Sequence, residues 1–449
     1  MSRMDQFGRS RASGICRVVM VAAALAGVAG VVAGAHARAA DPVTFLAAAR
    51  DGAARFSRQS CPVVQPDARD IVRHDPYPHD FGGEAGDTQG GLGYPLFKVT
   101  DGGDDSAHPA PGTLRHALND AQAAGGGWIV FSHDLDGRVI VPQATFRLPS
   151  NITLDGGCGQ VTLEARARLT DLTVTDSTNI IIRGLKLTKQ PYVDKTDKTG
   201  DAIGLTGFFD RVAIVHNDFR RCGDGCVDIV RKGRINAASH ATVAFNHFQA
   251  HNKVMLIGTL TCYITPDAPG CTDPLAHLDE DAMRPWVRVS ITGNYFESTS
   301  QRHPKVVSNA YVQSVDNVIV LKPTLYPDGK PSASYGVAAA TGGVVDARGD
   351  MIVNQEPDTK LGVGSITLTR RIGGSTREAD GAVNIDDLHL YGPLLAEPFR
   401  AGLARQMHGA SVPTPPASMR PEVLAACVMG LAGAAGGGNQ WPRDCGASK

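Results

Sequence analysis

The sequence predicts an all-β chain: a single right-handed parallel β-helix solenoid with an N-terminal capping helix and long loops. Three observations carry this expectation. From Val139 to about Val320, short runs of alternating apolar and polar residues recur between turn residues, with no helical period. Three of these runs end in the same corner, an asparagine, any residue, then phenylalanine, at Asn217, Asn246 and Asn294. Asp316–Asn317 marks a fourth corner, and the gaps between the asparagines are 29, 48 and 23 residues. Irregular recurrence of this kind fits stacked coils of about 20–30 residues with loop insertions on one side. Asparagines at successive corners can hydrogen-bond in a ladder and tolerate left-handed backbone angles at the bend. Finally, most runs are separated by far more than the two-residue turns that would join the hairpins of a β-sandwich.

The elements follow in chain order. Residues 1–39 read as a secretory signal: Arg9, Arg11 and Arg17 precede or flank an apolar run from Val18 to Gly34, and small residues around Ala39 offer a cleavage site. No later segment is long and apolar enough to span a bilayer, so no membrane partner is expected once the signal is removed. Residues 40–325 are expected to form the β-helix domain, and 326–449 further coils, a Pro-rich linker at Ser411–Ser418 and a disulfide-containing tail. Within these, Phe45–Phe56 reads as a short helix. Gly112–Gln122 reads as an amphipathic helix that follows Pro111 and is stopped by Gly125–Gly127. Trp128–Phe131 reads as a buried strand, Asn151–Asp155 and Asn179–Leu187 as coil strands, and Arg420–Gly433 as a terminal helix. The 48-residue gap holds an insertion, Thr259–Pro285, containing Cys262 and Cys271.

Cysteine usage agrees with export. Of nine cysteines, Cys16 leaves with the signal and eight remain, an even count that points to disulfides. Cys262–Cys271 and Cys427–Cys445 are plausible local pairs, while Cys222 and Cys226 lack the matched second pair that a zinc site needs. The formal charge of −1 names no partner.

The chemistry-bearing residues cluster between Gly200 and Pro304. Asp224 and Asp228 are four apart, about 13 Å along a regular strand and too far to share one ion. A turn at Gly223–Gly225 would bring them together, with Asp201 one coil below. Three such carboxylates repel unless a cation sits between them, and oxygen-only ligands favour Ca²⁺. The alternative is that these aspartates simply make turns. Lys253 and Arg302 lie in later coils, and Lys186, Lys189, Lys195, Lys198, Arg220, Arg221, Arg231, Lys232 and Arg234 add further positive charge. Cations beside a Ca²⁺ site suggest an acidic polymer held through its carboxylates. No aromatic interleaving of the kind single-stranded nucleic acid needs is present, so nucleic acid is not an expected partner.

Across about residues 90–320 the chain resembles the pectate lyases of polysaccharide lyase family 1. The resemblance rests on PGTLRHAL (111–118), NITLDG (151–156), GDAI (200–203), VAIVHNDF (212–219), DGCVDI (224–229), NHFQAHNKVMLIG (246–258), VSITGNYFE (289–297) and QRHP (301–304), in that order. It implies that Asp201, Asp224 and Asp228 hold Ca²⁺, that Lys253 binds a substrate carboxylate and that Arg302 is the base. The implied reaction is β-elimination in α-1,4-polygalacturonate, giving 4,5-unsaturated oligogalacturonides, by a secreted or periplasmic enzyme acting as a monomer on pectin. Two departures stand out. Val307 occupies the place of the motif's second arginine, a role Lys305 could cover in part, and residues 213–216 read Ala-Ile-Val-His where the family has Trp-Ile-Asp-His. His216 and His247 fall at coil corners and read as ladder or core histidines. The main alternative is a catalytically weak or inactive β-helix that binds acidic polysaccharide. A Ca²⁺-independent lyase for methylated pectin fits less well, because it needs no carboxylate-bridging metal.

Overall fold

The computed structural model describes residues 41–56, 83–157, 159–166, 168–190, 200–231, 237–259, 287–307, 310–324, 332, 334–340, 343–356, 361–367, 370–372, 375–377, 382–384, 388–391, 394–395 and 420–433. The signal read at residues 1–39, the insertion around Cys262 and Cys271, and Cys61, Cys158 and Cys445 lie outside the described residues.

Strands stack in parallel from coil to coil. Nine of them, from Val139–Ile140 to His389–Tyr391, form one sheet, and seventeen form a second that runs around the remaining sides. Among the described residues the one antiparallel pair is the short Arg370–Ile372 with Ser375–Arg377. Two strands are long enough to turn from one side of the coil to the next, Leu172–Arg183 and Ile203–Val215. The rest are short, as the alternating runs require.

Inward side chains stack like with like. Phe219, Phe248 and Phe296 are all fully buried. Their ring centroids lie 4.7 and 4.9 Å apart, near the strand spacing, and His303 closes the stack edge-on at 5.2 Å. At the corner before each phenylalanine the asparagines form the expected ladder. Asn217, Asn246 and Asn294 each donate a backbone N–H to the side-chain oxygen one coil on, at 2.9 Å. Asn317 does the same to Asp350, which ends the ladder with a carboxylate. The amide groups donate back to buried carbonyls, Asn246 to Ile214 at 2.8 Å and Asn294 to Val243 at 2.9 Å. One detail differs from expectation: the left-handed residue is the one before the asparagine. His216, Phe245 and Asp316 have φ of 53°, 53° and 56°, and Gly293 has 61°. The asparagine supplies the hydrogen bonds and its predecessor the bend.

Three described α-helices pack on the strands. α1 spans Pro42–Phe56, α2 Leu114–Ala123 and α3 Pro421–Leu431. α2 is the capping helix: the Thr113 hydroxyl accepts from the His116 N–H, and Leu114, Ala117, Leu118 and Ala121 seal the first coils of the core. α1 and α3 pack together against the outer face of the nine-stranded sheet. Phe45, Leu46 and Ala49 join Leu424, Ala425 and Val428 over Val318, Val320, Met351 and Val353. Strands beyond residue 325 continue the register, as in Met351–Asn354 on Val318–Leu321.

Candidate active site

The site residues come from one corner of consecutive coils, the turn between the nine-stranded sheet and the strands Val227–Arg231, Leu256–Thr259 and Lys305–Val307. Backbone hydrogen bonds stack this corner vertically. Ala202 N–H donates to Gly225 O at 3.1 Å, Cys226 to Val254 at 2.8 Å and Val254 to Gln301 at 3.0 Å. Asp201, Asp224, Lys253 and Arg302 each lie one residue from a member of that column. They are therefore brought together in the order the sequence suggested.

The turn at Asp224 is closed by a disulfide between Cys222 and Cys226, a pairing the sequence reading did not foresee. Gly225 sits inside it because nothing larger fits: a Cβ there would lie 2.4 Å from Asp228 Oδ1 and 3.1 Å from Asp201 Oδ1. The same measurement shows that these two carboxylates converge on one point. Asp201 Oδ1 accepts from the Gly225 N–H at 2.9 Å, and Asp228 Oδ1 from the Leu256 N–H at 2.9 Å. Asp224 Oδ1 accepts from Lys253 Nζ at 2.7 Å.

The electrostatics record crowding. Burial pushes the Asp228 carboxyl up to about 6, against the pull of the Arg302 charge and the Leu256 N–H, with Asp224 adding repulsion. Burial, then the Asp228 charge, raises Asp201 well above the ordinary carboxylate range. A cation between them would relieve both effects. Among the described residues, however, Asp201, Asp224 and Asp228 do not bring three oxygens within 4.8 Å of one another, whereas Cys222, Cys226 and His251 do bring three ligand atoms that close. The disulfide uses both of those sulfurs, so they offer no thiolate pair for zinc. The aspartates fit an oxygen-ligated cation in part: Asp201 and Asp228 converge on one point, while Asp224 is bonded to Lys253 and would have to exchange that bond to join them.

Arg302 is partly exposed, with φ of 66°, and its buried Nε has no hydrogen-bond partner. Its neighbour His303 is fully buried and held at 2.8 Å by Thr299 Oγ1 and at 2.9 Å by Tyr335 O, which fixes the backbone under the arginine. Lys305 lies on the outer row with Leu256 and Ala338, and no ion pair or hydrogen bond ties its side chain to the aspartates. Val307 is fully buried in an apolar cluster with Val230 and Leu256.

Two cations read from sequence as part of a basic surface are instead interior. Lys189 is 1% exposed, donates to Leu169 O, and adds positive charge beside Asp171, Asp201 and Asp224. Arg231 is also 1% exposed and donates to Ala237 O. The alternation Leu185, Leu187, Lys189 places the lysine on the inward row, and the charge that meets it there, Asp171, lies just before the strand Leu172–Arg183. Lys195, Lys198, Lys232 and Arg234 lie outside the described residues. His216 is a corner residue, its ring 5.3 Å from Phe245, and His247 bonds Glu297 at 3.0 Å; both stand apart from the carboxylates.

No protein-family model matches the chain. Among curated proteins it is 27% identical over 258 residues to probable pectate lyase 4 of Arabidopsis thaliana, covering 51% of this chain and 65% of that one. It is 30% identical over 263 residues to putative pectate lyase 21 of the same plant, covering 57% of each. The chain thus spans about half to two-thirds the length of these relatives. Among solved structures it aligns with Jun a 1, the major allergen from cedar pollen, at a TM-score of 0.50 and 17% identity, over 78% of this chain and 92% of that one. In sequence the chain resembles the pectate lyases, and in fold it is a parallel β-helix.

Proposed function

We propose that the protein is an exported, Ca²⁺-dependent pectate lyase that cleaves α-1,4-polygalacturonate by β-elimination, with residues 40–325 as the catalytic domain and 1–39 as its export signal. The observation that supports this most is the convergence of Asp201 and Asp228 on Gly225, with Asp224–Lys253 and Arg302 on the same corner. Asp201, Asp224 and Asp228 would hold Ca²⁺, whose charge would make the C5 proton of a bound uronate more acidic. Lys253, released from Asp224, holds that carboxylate and stabilises the charge that develops on it. Arg302 removes the C5 proton. The C5–H electrons form the C4–C5 double bond, the C4–O bond breaks, and the departing oxygen is protonated from water. Arg302 lies close enough to Asp228 for its charge to act on that carboxyl, and its buried Nε has no hydrogen-bond partner among the described residues.

A second reading, a polysaccharide-binding β-helix without turnover, is favoured by one observation: Val307 is packed against Val230 and Leu256 and leaves a single arginine in the motif. Appearance of the conjugated uronide in the near ultraviolet separates the two. The enzyme reading requires it in Ca²⁺, and the binding reading requires its absence from a folded protein that retains polygalacturonate.

A further inference from the structure

Among the described residues, α1 and α3 cover the outer face of the nine-stranded sheet over its later coils and not over its earlier ones. At Gly433, just past α3, a Cβ would lie 2.5 Å from Asp218 Oδ1, so this segment stands against Asp218. Beside it lies a cavity of about 410 Å³. Its cations are Lys186, Arg220 and Arg221, all exposed, and among the described residues none makes an ion pair or a side-chain hydrogen bond. Its carboxylate, Asp218, is already engaged 3.6 Å from His247 Nδ1. Thr188 and Gln249 add neutral hydrogen-bonding groups in the same row as Arg220, above the buried Leu187.

We infer that this cavity is a second saccharide site, for a short carboxylate-bearing oligosaccharide of the same uronate class as the proposed substrate. The identity of the ligand rests on the proposed function; the existence of an anion site does not. Three charges spread over neighbouring coils match several carboxylates along a chain better than one compact anion, since successive strands are about 4.8 Å apart. A hydroxyl and an amide between them suit sugar hydroxyls, which a purely ionic site would leave unpaired. The cavity lies on the sheet side of the Cys222–Cys226 turn, and Asp228 lies on the strand after that turn. The two sites are therefore on different faces of the coil, and a polymer held at one leaves the other open. Such a site would keep the enzyme on insoluble substrate between cleavage events.

The test is calorimetric titration of the full chain carrying Arg302→Ala, which stops turnover, with trigalacturonate. Two binding events are expected. One requires Ca²⁺ and is lost in Asp228→Asn. The other persists in chelator and weakens roughly tenfold or more in Lys186→Gln/Arg220→Gln/Arg221→Gln, as summed surface charge contacts allow. The triple variant alters exposed side chains, and an unchanged circular dichroism spectrum confirms its fold. Absence of chelator-resistant binding, its survival in the triple variant, or equal binding of inorganic phosphate would overturn the inference. Loss of only the Ca²⁺-dependent event would sink the proposed function and leave the second site standing.

Discussion

Arg302 and Lys253 carry the proposed chemistry, and their surroundings set what each substitution should do. Arg302→Ala removes the proposed base without disturbing the buried His303 beneath it, so turnover should fall about 10²–10⁴-fold with an unchanged melting temperature. Lys253→Ala frees Asp224 from its 2.7 Å bond. Ca²⁺ should then bind at least as tightly while KM for polygalacturonate rises, and calorimetry beside kinetics resolves the two. Val307→Arg would restore the motif on paper. Here it forces a guanidinium into the apolar cluster of Val230 and Leu256, so a loss of about 1–3 kcal/mol in urea unfolding is expected, with no gain in rate. At this scale the sequence pointed to Asp201, Asp224, Asp228, Lys253 and Arg302 through the family resemblance, since spacing alone left the aspartates open as turn residues. Lys189 reads in sequence as part of the basic surface, although it continues the inward row of Leu185 and Leu187, because a lysine on a core row needs a buried acceptor that the strand itself does not show. Nor did the sequence reveal that Lys253 and Asp224 pair, which depends on side-chain reach across coils.

The corner is the element that organises the coil. Asn246→Ala strips partners from the Asn217 N–H and the Ile214 carbonyl, both buried, and should cost about 2 kcal/mol or more in chemical unfolding. The ladder's far end gives a pH signature. Asp316 is 7% exposed, and burial, then the Asp350 charge, raises it from 3.8 to about 7. Burial likewise raises Asp350 to about 6. Folded, these groups bind more protons than the unfolded chain from about pH 4 upward. Their contribution therefore favours folding at low pH and is lost as pH rises through 6 and 7. Asp316→Asn, which suits the left-handed φ of 56° as well, should raise the melting temperature at pH 8 and by much less at pH 5. The asparagine corners were legible because they recur in sequence. The Cys222–Cys226 ring was not, because two cysteines four apart suit several geometries until the turn is built.

For the molecule as a whole, strand content, parallel stacking and the α2 cap followed from pattern, whereas the joining of α1 to α3 did not. Their meeting is a contact between chain ends that no local period encodes. Leu46 is 1% exposed in that joint, and Leu46→Ala should cost about 2–4 kcal/mol. The same joint covers the later coils of the nine-stranded sheet. Among the described residues no helix is long and apolar enough to cross a membrane. The central claim is that one corner of this coil binds Ca²⁺ and performs elimination. The direct measurement is near-ultraviolet absorbance of the conjugated uronide on polygalacturonate, with Ca²⁺ and with excess chelator, for the parent chain and for Arg302→Ala. A rise only in the parent with Ca²⁺ is the predicted result. A rise that survives chelator or the loss of Arg302, or no rise from the folded, Ca²⁺-loaded parent, would contradict it.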